Sequence, residues 1–228
     1  MLQRAFDIMF SITALIALSP ILLLVMFMLR ITGEGEVFFL QTRIGKGGAH
    51  FNLFKFATML KNSPSIGTKT ITIHNDPRVL PLGKILRKSK INELPQLVNV
   101  LKGDMSIIGP RPQTQRCFDA YNKADQTEIK KVRPGLSGLG SIIFRNETEM
   151  MRENQDVSKL YDDVIMPYKG NLEKWYVQNK SIFSYFFLIF MTIYVLIFGS
   201  PRLIFYVFPS LPKIPKTLRF HILGSVHE

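Results

Sequence analysis

An N-terminal apolar stretch limits what this chain can fold into more than any other feature. Residues Ala5–Leu29 are apolar apart from Asp7 and a few small polar side chains, and Arg4 and Arg30 flank the stretch. As a helix, this stretch is long enough to cross a bilayer. A cleaved signal peptide is disfavoured, because the apolar run is too long and no A-x-A-like site ends it. We therefore expect the chain to insert into a membrane through this stretch.

The pair Ser19-Pro20 lies near the middle of this stretch. Proline removes a backbone donor and bends a helix, and a serine hydroxyl helps to satisfy the freed carbonyl groups. Two interpretations follow: a transmembrane helix with a kink, or a helix–break–helix that enters and leaves the membrane on the same side. Basic residues at both ends and in the remaining chain favour the second interpretation, because positive charge stays on the cytoplasmic side.

The composition supports a membrane-associated protein with one catalytic-sized domain. The 228 residues carry a net charge of +12, yet 46% are hydrophobic. Basic nucleic-acid binders are seldom this apolar, and no recognition-helix or aromatic-platform motif is present. High positive charge together with high hydrophobic content fits a protein on the cytoplasmic face of a membrane, where Lys and Arg contact anionic lipid. The single cysteine, Cys117, excludes an internal disulfide.

The stretch Ile91–Pro112 (INELPQLVNVLKGDMSIIGPRP) combines a predicted helix with candidate catalytic side chains. Leu94, Leu97, Val98 and Leu101 follow the spacing of an amphipathic helix that ends at Lys102-Gly103. Two readings of Asn92 and Glu93 stay open. Asn92 is a good N-cap and Glu93 suits the first turn of a helix, whereas the carboxylate of Glu93 could also hold a metal ion or move a proton.

Cations cluster on both sides of this predicted helix. Lys84, Arg87, Lys88 and Lys90 precede it, and Arg111 follows in the stiff turn Gly109–Pro112. Cations beside a helix N-terminus suit a phosphate or pyrophosphate ligand. The alternative is a solvated basic face, which is the commoner meaning of a run of lysines.

The amino-acid sequence of this stretch resembles the core motif of the small monotopic phosphoglycosyl transferases, which are bacterial sugar transferases. Their signature reads roughly S-x-D-E-L-P-Q-L-x-N-V-L-x-G-D-M-S-x-x-G-P-R-P. The residues that match are Glu93-Leu94-Pro95-Gln96-Leu97, Asn99-Val100-Leu101, Gly103-Asp104-Met105-Ser106 and Gly109-Pro110-Arg111-Pro112. The sequence departs from the signature at the catalytic position, where Asn92 stands in place of the family's nucleophilic Asp.

Further elements extend the resemblance over roughly residues 4–200. Phe39-x-Gln41-x-Arg43-x-Gly45 is similar to the family's F-x-Q-x-R-x-G element. Lys55 matches the lysine of F-x-x-x-K-F-R-S-M, although Ala57 replaces the usual Arg. The family's D-P-R element begins at Asp76 and leads through Gly83 to Arg87. A broken N-terminal helix with a Ser-Pro pair also belongs to the family.

The resemblance implies a function and a set of roles. Such enzymes transfer a sugar-1-phosphate from a UDP-sugar to polyprenyl (undecaprenyl) phosphate with release of UMP, and so begin an O-antigen, capsule or exopolysaccharide. Mg2+ is the expected cofactor, with Glu93 as its ligand, and Asn92 and Glu93 are the expected catalytic pair. The expected substrate-binding cations are Lys55, Arg87, Arg111 and Arg43. Expected partners are the two substrates, inner-membrane lipid and downstream glycosyltransferases, and not nucleic acid.

Asn92 leaves the mechanism open, because a carboxamide is a poor nucleophile. The chain is an engineered inactive form, a natural variant in which Glu93 attacks or transfer is direct, or an inactive relative. The alternative function is therefore a membrane scaffold that binds nucleotide sugar without turnover.

The expected fold is α+β and mainly helical, in a monotopic protein of the bacterial inner membrane with its catalytic domain on the cytoplasmic face. We predict a re-entrant membrane helix in residues 1–30, broken at Ser19-Pro20, and a catalytic domain in residues 31–180. Residues 181–228 form a hydrophobic segment and tail. Within it, residues 181–200 pass the length test for a membrane span, whereas the basic tail and the resemblance favour a helix that lies against the membrane or the domain.

Overall fold

The structure is a computed structural model that describes residues 2–66, 76–147 and 157–224. It is mostly helical with two small sheets, which confirms the mainly helical α+β prediction. The chain forms two compact units. Unit 1 comprises Met1–Thr42 and Phe51–Gly103, and unit 2 comprises Arg43–His50 and Asp104–Glu228.

Unit 1 is built from a long N-terminal helix, most of a two-stranded sheet and two short helices. Its elements are α1 (Leu2–Ile31), β1 (Phe38–Ile44), β2 (His50–Phe56), a 3-10 turn (Ser63–Ser65), α2 (Pro81–Lys88), a 3-10 turn (Ile91–Glu93) and α3 (Gln96–Lys102). Strands β1 and β2 pair with each other. The turn that joins them, with its 3-10 segment Lys46–Gly48, belongs to unit 2.

Unit 2 is a helical unit around a parallel strand pair. Its elements are β3 (Ser106–Ile108), α4 (Gln115–Asp119), α5 (Lys123–Ile129), β4 (Gly135–Ser137), α6 (Leu139–Ile143), α7 (Val157–Leu160), a π-helical turn (Tyr161–Ile165), α8 (Met166–Asn179), α9 (Ile182–Phe198), α10 (Arg202–Val207) and α11 (Lys216–Leu223). Ser106 pairs with Gly135 and Ile108 with Ser137. This pairing fixes the Gly109–Pro112 turn, which follows β3 directly.

Helix α1 is continuous through Ser19-Pro20, so the predicted break in the helix is not seen. Pro20 has no N–H to give to the carbonyl of Ile16, four residues earlier. The Ser19 hydroxyl donates to that carbonyl oxygen instead, at 2.8 Å. The serine therefore replaces the hydrogen bond that the proline removes, and the helix continues.

Both ends of α1 contact unit 1, while much of its middle is exposed. Near the N-terminus, the Arg4 guanidinium donates to the carbonyl of Leu101 at 2.9 Å, at the end of α3. Near the C-terminus, Val25 and Leu29 pack with Phe56 and Leu86 in one apolar cluster. Between them, large apolar side chains such as Ile16 (70% exposed) face outwards. Among the described residues, α1 is the one helix long and apolar enough to cross a membrane.

Helix α3 buries Leu97 of the predicted apolar stripe, together with Val100 and two polar residues. Val98 is 37% exposed, whereas the polar residues Gln96 and Asn99 are buried. The Asn99 side chain accepts from the Phe54 N–H at 2.9 Å and donates to the Asn52 carbonyl at 2.8 Å. Because Asn99 satisfies backbone groups of β2, a polar side chain occupies the buried face. The predicted end of the helix is confirmed: Gly103 caps it with φ of 90°.

Helix α9 packs along its length against the rest of unit 2. It begins at a capping box formed by Ser181 and Ser184. Its buried residues are Ser184, Tyr185, Leu188, Met191 and Val195, while the other side exposes large apolar residues such as Phe190 and Ile197. Thr192 hydrogen-bonds the Ser137 hydroxyl at 2.8 Å. The helix has 17 residues and is shorter than a typical membrane span.

Candidate active site

Asn92 and Glu93 lie on the 3-10 turn between α2 and α3. Lys90 adopts a left-handed conformation (φ 62°), which turns the chain out of α2. The N-cap of α3 is Pro95, and the Asn92 side chain caps no N–H, so the N-cap reading of Asn92 was wrong. Asn92 is 6% exposed, and its Oδ1 atom has no hydrogen-bond partner within the described residues. A buried amide oxygen without a partner is costly, which is typical of a functional position.

Lys55 forms an ion pair with Glu93. The Nζ atom lies 3.7 Å from Oε1, and the two side chains are 17% and 16% exposed. Strand β2 supplies Lys55 and the 3-10 turn supplies Glu93. Two sequence-predicted residues that are 38 positions apart are therefore adjacent in unit 1, partly shielded from water.

Arg87 lies on α2 and donates to the Thr58 hydroxyl at 3.4 Å. The helix approaches this segment closely, because Gly83 has no side chain: a Cβ atom there would lie 2.2 Å from the Thr58 carbonyl oxygen. The Leu80 N–H donates to the same oxygen at 3.0 Å. Thr58 is buried and was not predicted from the sequence. Lys84, Lys88 and Lys90, the other members of the basic run, are exposed.

Arg111 and Arg43 both lie in unit 2 at the Gly109–Pro112 turn, and each has its own hydrogen-bond partner there. The Arg111 guanidinium lies 3.4 Å from the Ser141 hydroxyl of α6. The Arg43 guanidinium donates to the carbonyl of Pro112 at 3.1 Å. Arg43 thus supports the backbone next to Arg111, a contact that the sequence did not predict.

Glu173 is a buried residue of this turn that sequence reasoning missed. It is 1% exposed, and its Oε1 atom accepts the Arg111 N–H at 3.1 Å. Burial raises the pKa of Glu173 to about 7, although hydrogen bonds from the Arg111 and Gly140 N–H groups and the charge of Lys169 lower it. One signal was available: Glu173 lies between Leu172 and Tyr176 on the buried face of α8.

A resident metal centre is not formed by side chains alone. No group of three or more His, Cys, Asp or Glu residues suited to a metal lies within the described parts of the chain. Mg2+ is often held by one or two protein oxygens together with substrate phosphates. The Glu93 carboxylate and the unpartnered Asn92 Oδ1 are hard oxygen donors on one turn. This donor set has the oxygen chemistry that Mg2+ prefers.

Comparison with models of protein families shows to which family this chain belongs. The model of the family described as "Bacterial sugar transferase" matches residues 1–199. The chain belongs to that family. The match includes both clusters of this bacterial sugar transferase, that of Lys55 and Glu93 and that of Arg43 and Arg111.

Curated relatives of the bacterial sugar transferase are similar over most of its length. The exopolysaccharide production protein ExoY of Sinorhizobium fredii is 35% identical over 84% of this chain and 83% of its own. An N-acetylgalactosaminephosphotransferase of Aeromonas hydrophila, named for UDP-N-acetylgalactosamine and undecaprenyl phosphate, is 32% identical over 87% of this chain and 44% of its own. The undecaprenyl-phosphate galactose phosphotransferase of Salmonella typhimurium is 31% identical over 84% and 39%. The chain therefore spans less than half of the two larger relatives.

Proposed function

We propose that this bacterial sugar transferase moves a sugar-1-phosphate from a UDP-sugar to polyprenyl phosphate, with release of UMP. The names of the relatives support this substrate class, since two of them are named for undecaprenyl phosphate and one for a UDP-sugar. The observation that carries the proposal is the partly buried Lys55–Glu93 pair next to Asn92, in the motif that resembles the family's catalytic pair. The lipid-linked product would begin a glycan that downstream glycosyltransferases extend.

Each unit contains cations that are candidates for binding a phosphate group of the donor. Lys55 and Arg87 both lie in unit 1 with Glu93, and a positioned cation in a partly shielded site stabilises phosphoryl charge more than it does in water. Arg111, whose guanidinium donates to the Ser141 hydroxyl, is the candidate phosphate-binding residue of unit 2. Arg43 acts on the same turn from its contact with Pro112.

Glu93 is the carboxylate that remains of the catalytic pair. In a two-step route, a Glu93 carboxylate oxygen attacks the β-phosphorus of the UDP-sugar, the bond to the α-phosphate breaks, and UMP leaves. The polyprenyl phosphate oxygen then attacks the same phosphorus, and the carboxylate leaves unchanged. In a direct route the acceptor attacks the donor without this covalent step. In both routes, in-line placement of the reacting groups lowers the barrier.

Glu93 and the Asn92 amide oxygen would hold Mg2+ together with the substrate phosphates. Bound there, the ion would offset the charge of the diphosphate and of the leaving UMP.

A second candidate function is binding of nucleotide sugar without turnover. The neutral side chain of Asn92 favours it, since the family's covalent route begins at a carboxylate in that position. Such a protein would keep the cations of the site and would act as a membrane scaffold.

We further propose that α1 is re-entrant, with both ends on the cytoplasmic face of the inner membrane, because basic residues flank it. Both ends of α1 contact unit 1, through Arg4 and through Leu29. Ends that touch one compact unit lie on one side of the bilayer. The burial of α9 along its length likewise supports a helix that lies against the fold.

The experiment that tests the function is UMP release from a panel of UDP-sugars with undecaprenyl phosphate and Mg2+. The purified chain is compared with its Asn92→Asp and Glu93→Gln variants. Release by the parent that disappears in Glu93→Gln supports an active transferase that depends on Glu93 and whose mechanism differs from the family's. Release by Asn92→Asp alone identifies Asn92 as the disabling residue. Silence from every protein, together with measurable UDP-sugar binding, would instead establish the non-catalytic function.

A further inference from the structure

A buried carboxyl group lies directly behind the turn that carries Arg111. Glu173 projects from α8 and is 1% exposed. Its Oε1 atom accepts the Arg111 N–H at 3.1 Å, and the Gly140 N–H donates to the same carboxyl group. Since Gly140 lies in the first turn of α6, one side chain joins the Gly109–Pro112 turn to the helix that carries Ser141.

These two connections both act on the Arg111 side chain. The guanidinium contacts the Ser141 hydroxyl at 3.4 Å, so its orientation depends on the spacing between the turn and α6. Glu173 sets this spacing, because it binds a backbone N–H on each side. Pro110 and Pro112 flank Arg111 and have no N–H to contribute. The Arg111 amide is therefore the point at which a side chain can hold the centre of this turn from behind.

A purely electrostatic role for Glu173 does not fit its contacts. Lys169, one turn earlier on α8, forms its ion pair with Glu147. Glu173 accepts from the backbone N–H groups of Arg111 and Gly140, and its Oε2 atom has no hydrogen-bond partner within the described residues. Burying a carboxyl group at this depth costs free energy. We infer that its hydrogen bonds to the turn and to α6 fix the position of the turn.

We propose that Glu173 is a positioning residue that holds Arg111 in its phosphate-binding orientation through the Arg111 and Gly140 amides. This role rests on the proposed function, in which Arg111 binds a phosphate group. It predicts that Glu173 acts on the reaction through Arg111 and not through the overall stability of the fold.

The direct test is amide hydrogen exchange at the turn in the full-length protein. A peptide of residues 109–113 reports on Arg111 and Gln113 alone, because both prolines lack an N–H and the first residue becomes the terminal amine. We expect at least tenfold faster exchange in this peptide for Glu173→Met, and an increase in the same direction for Glu173→Asp, whose shorter side chain does not reach the turn. Glu173→Gln keeps an acceptor oxygen and should retain the protection. The matched control Glu128→Gln, on α5, should leave it unchanged.

Turnover gives a second readout, in the parent or in Asn92→Asp, whichever is active. Glu173→Met and Arg111→Ala should each lower kcat/KM at least tenfold. The double variant should be no worse than Arg111→Ala, because interacting residues are not additive. Losses that multiply, or unchanged exchange at the 109–113 peptide in a folded Glu173→Met or Glu173→Asp variant, would overturn the proposal. Faster exchange without turnover in any background would reject the proposed transfer while supporting the positioning of Arg111.

Discussion

Lys55 illustrates how one residue takes its meaning from its neighbours. In the sequence it is an ordinary lysine, and in the structure it faces Glu93 at 3.7 Å with 17% of its side chain exposed. The ion pair itself is weak evidence for stability, because removing two charges from water offsets much of their attraction. Under the proposed function, this cation has a second role, because it would bind a phosphate group of the donor.

Replacing this cation should affect catalysis far more than folding. We expect Lys55→Met to lower kcat/KM about 100-fold, which is the typical loss of one preorganised charged or donor group. The matched control is Lys61→Met, since Lys61 also pairs with a glutamate but is 74% exposed. UMP release measures the activity and thermal unfolding measures the fold. Equal effects of the two substitutions on kcat/KM would contradict a phosphate-binding role.

Glu173 should make the stability of the fold depend on pH. Its folded pKa is about 7, whereas an unfolded glutamate titrates at about 4.3. Between these values the native state binds more protons than the unfolded state, so the free energy of unfolding falls as pH rises from about 4.3 to about 7. The charged groups that set this pKa besides burial are Arg111 and Lys169, which both lower it.

The variant Glu173→Gln removes this titration. Relative to the parent, its free energy of unfolding should rise with pH over this window, by up to roughly 3 kcal/mol. Thermal unfolding in detergent at pH 5 and pH 8 measures the difference, with Glu128→Gln as control. Parallel behaviour of parent and Glu173→Gln at both pH values would show that Glu173 titrates normally.

At the scale of elements, the packing of α2 on the Thr58 segment positions Arg87. Gly83 allows this packing, because a Cβ atom would lie 2.2 Å from the Thr58 carbonyl oxygen. Gly83→Ala should move the helix away, with a cost of about 1–3 kcal/mol for overpacking and a loss of UMP release through Arg87. The exposed neighbour Lys84 on the same helix provides the control, Lys84→Ala. Unchanged stability in Gly83→Ala would mean that α2 is not held at this distance.

Helix α1 offers a second test at this scale. Ser19→Ala should destabilise the protein, since it leaves the Ile16 carbonyl without the hydroxyl that replaces the missing Pro20 N–H. In a Pro20→Ala background the N–H is restored, and the same serine substitution should have little effect. Thermal unfolding of the four proteins measures this coupling, and equal effects of Ser19→Ala in both backgrounds would refute it.

For the whole molecule, the decisive question is whether α1 returns to the side from which it enters. Single cysteines at Leu2→Cys and Thr32→Cys, in a Cys117→Ser background, place a label at each end of the helix. Because both ends contact unit 1, we expect a membrane-impermeant maleimide to label both in inside-out vesicles and neither in intact spheroplasts. Labelling from opposite sides would establish a membrane-spanning helix.

Local signals predicted several parts of this structure well. The apolar pattern predicted α1, and the Lys102-Gly103 pair predicted the end of α3. Both depend on neighbours within one or two turns, which the sequence contains. The buried face of α3 was only partly predicted. The apolar pattern predicted the burial of Leu97, whereas Asn99 is buried because it binds the backbone of β2, 45 and 47 residues earlier.

The sequence by itself determined the family and the long apolar helix, because a long motif and a long apolar run can be recognised without coordinates. It also supplied the catalytic pair as a prediction. Tertiary structure decided which side chains meet: Lys55 with Glu93, Arg87 with Thr58, and Glu173 with the amide of Arg111. It also decided that Asn92 is buried without capping a helix. These are contacts between distant segments, whose partners are chosen by packing and by the cost of leaving buried polar groups without hydrogen bonds.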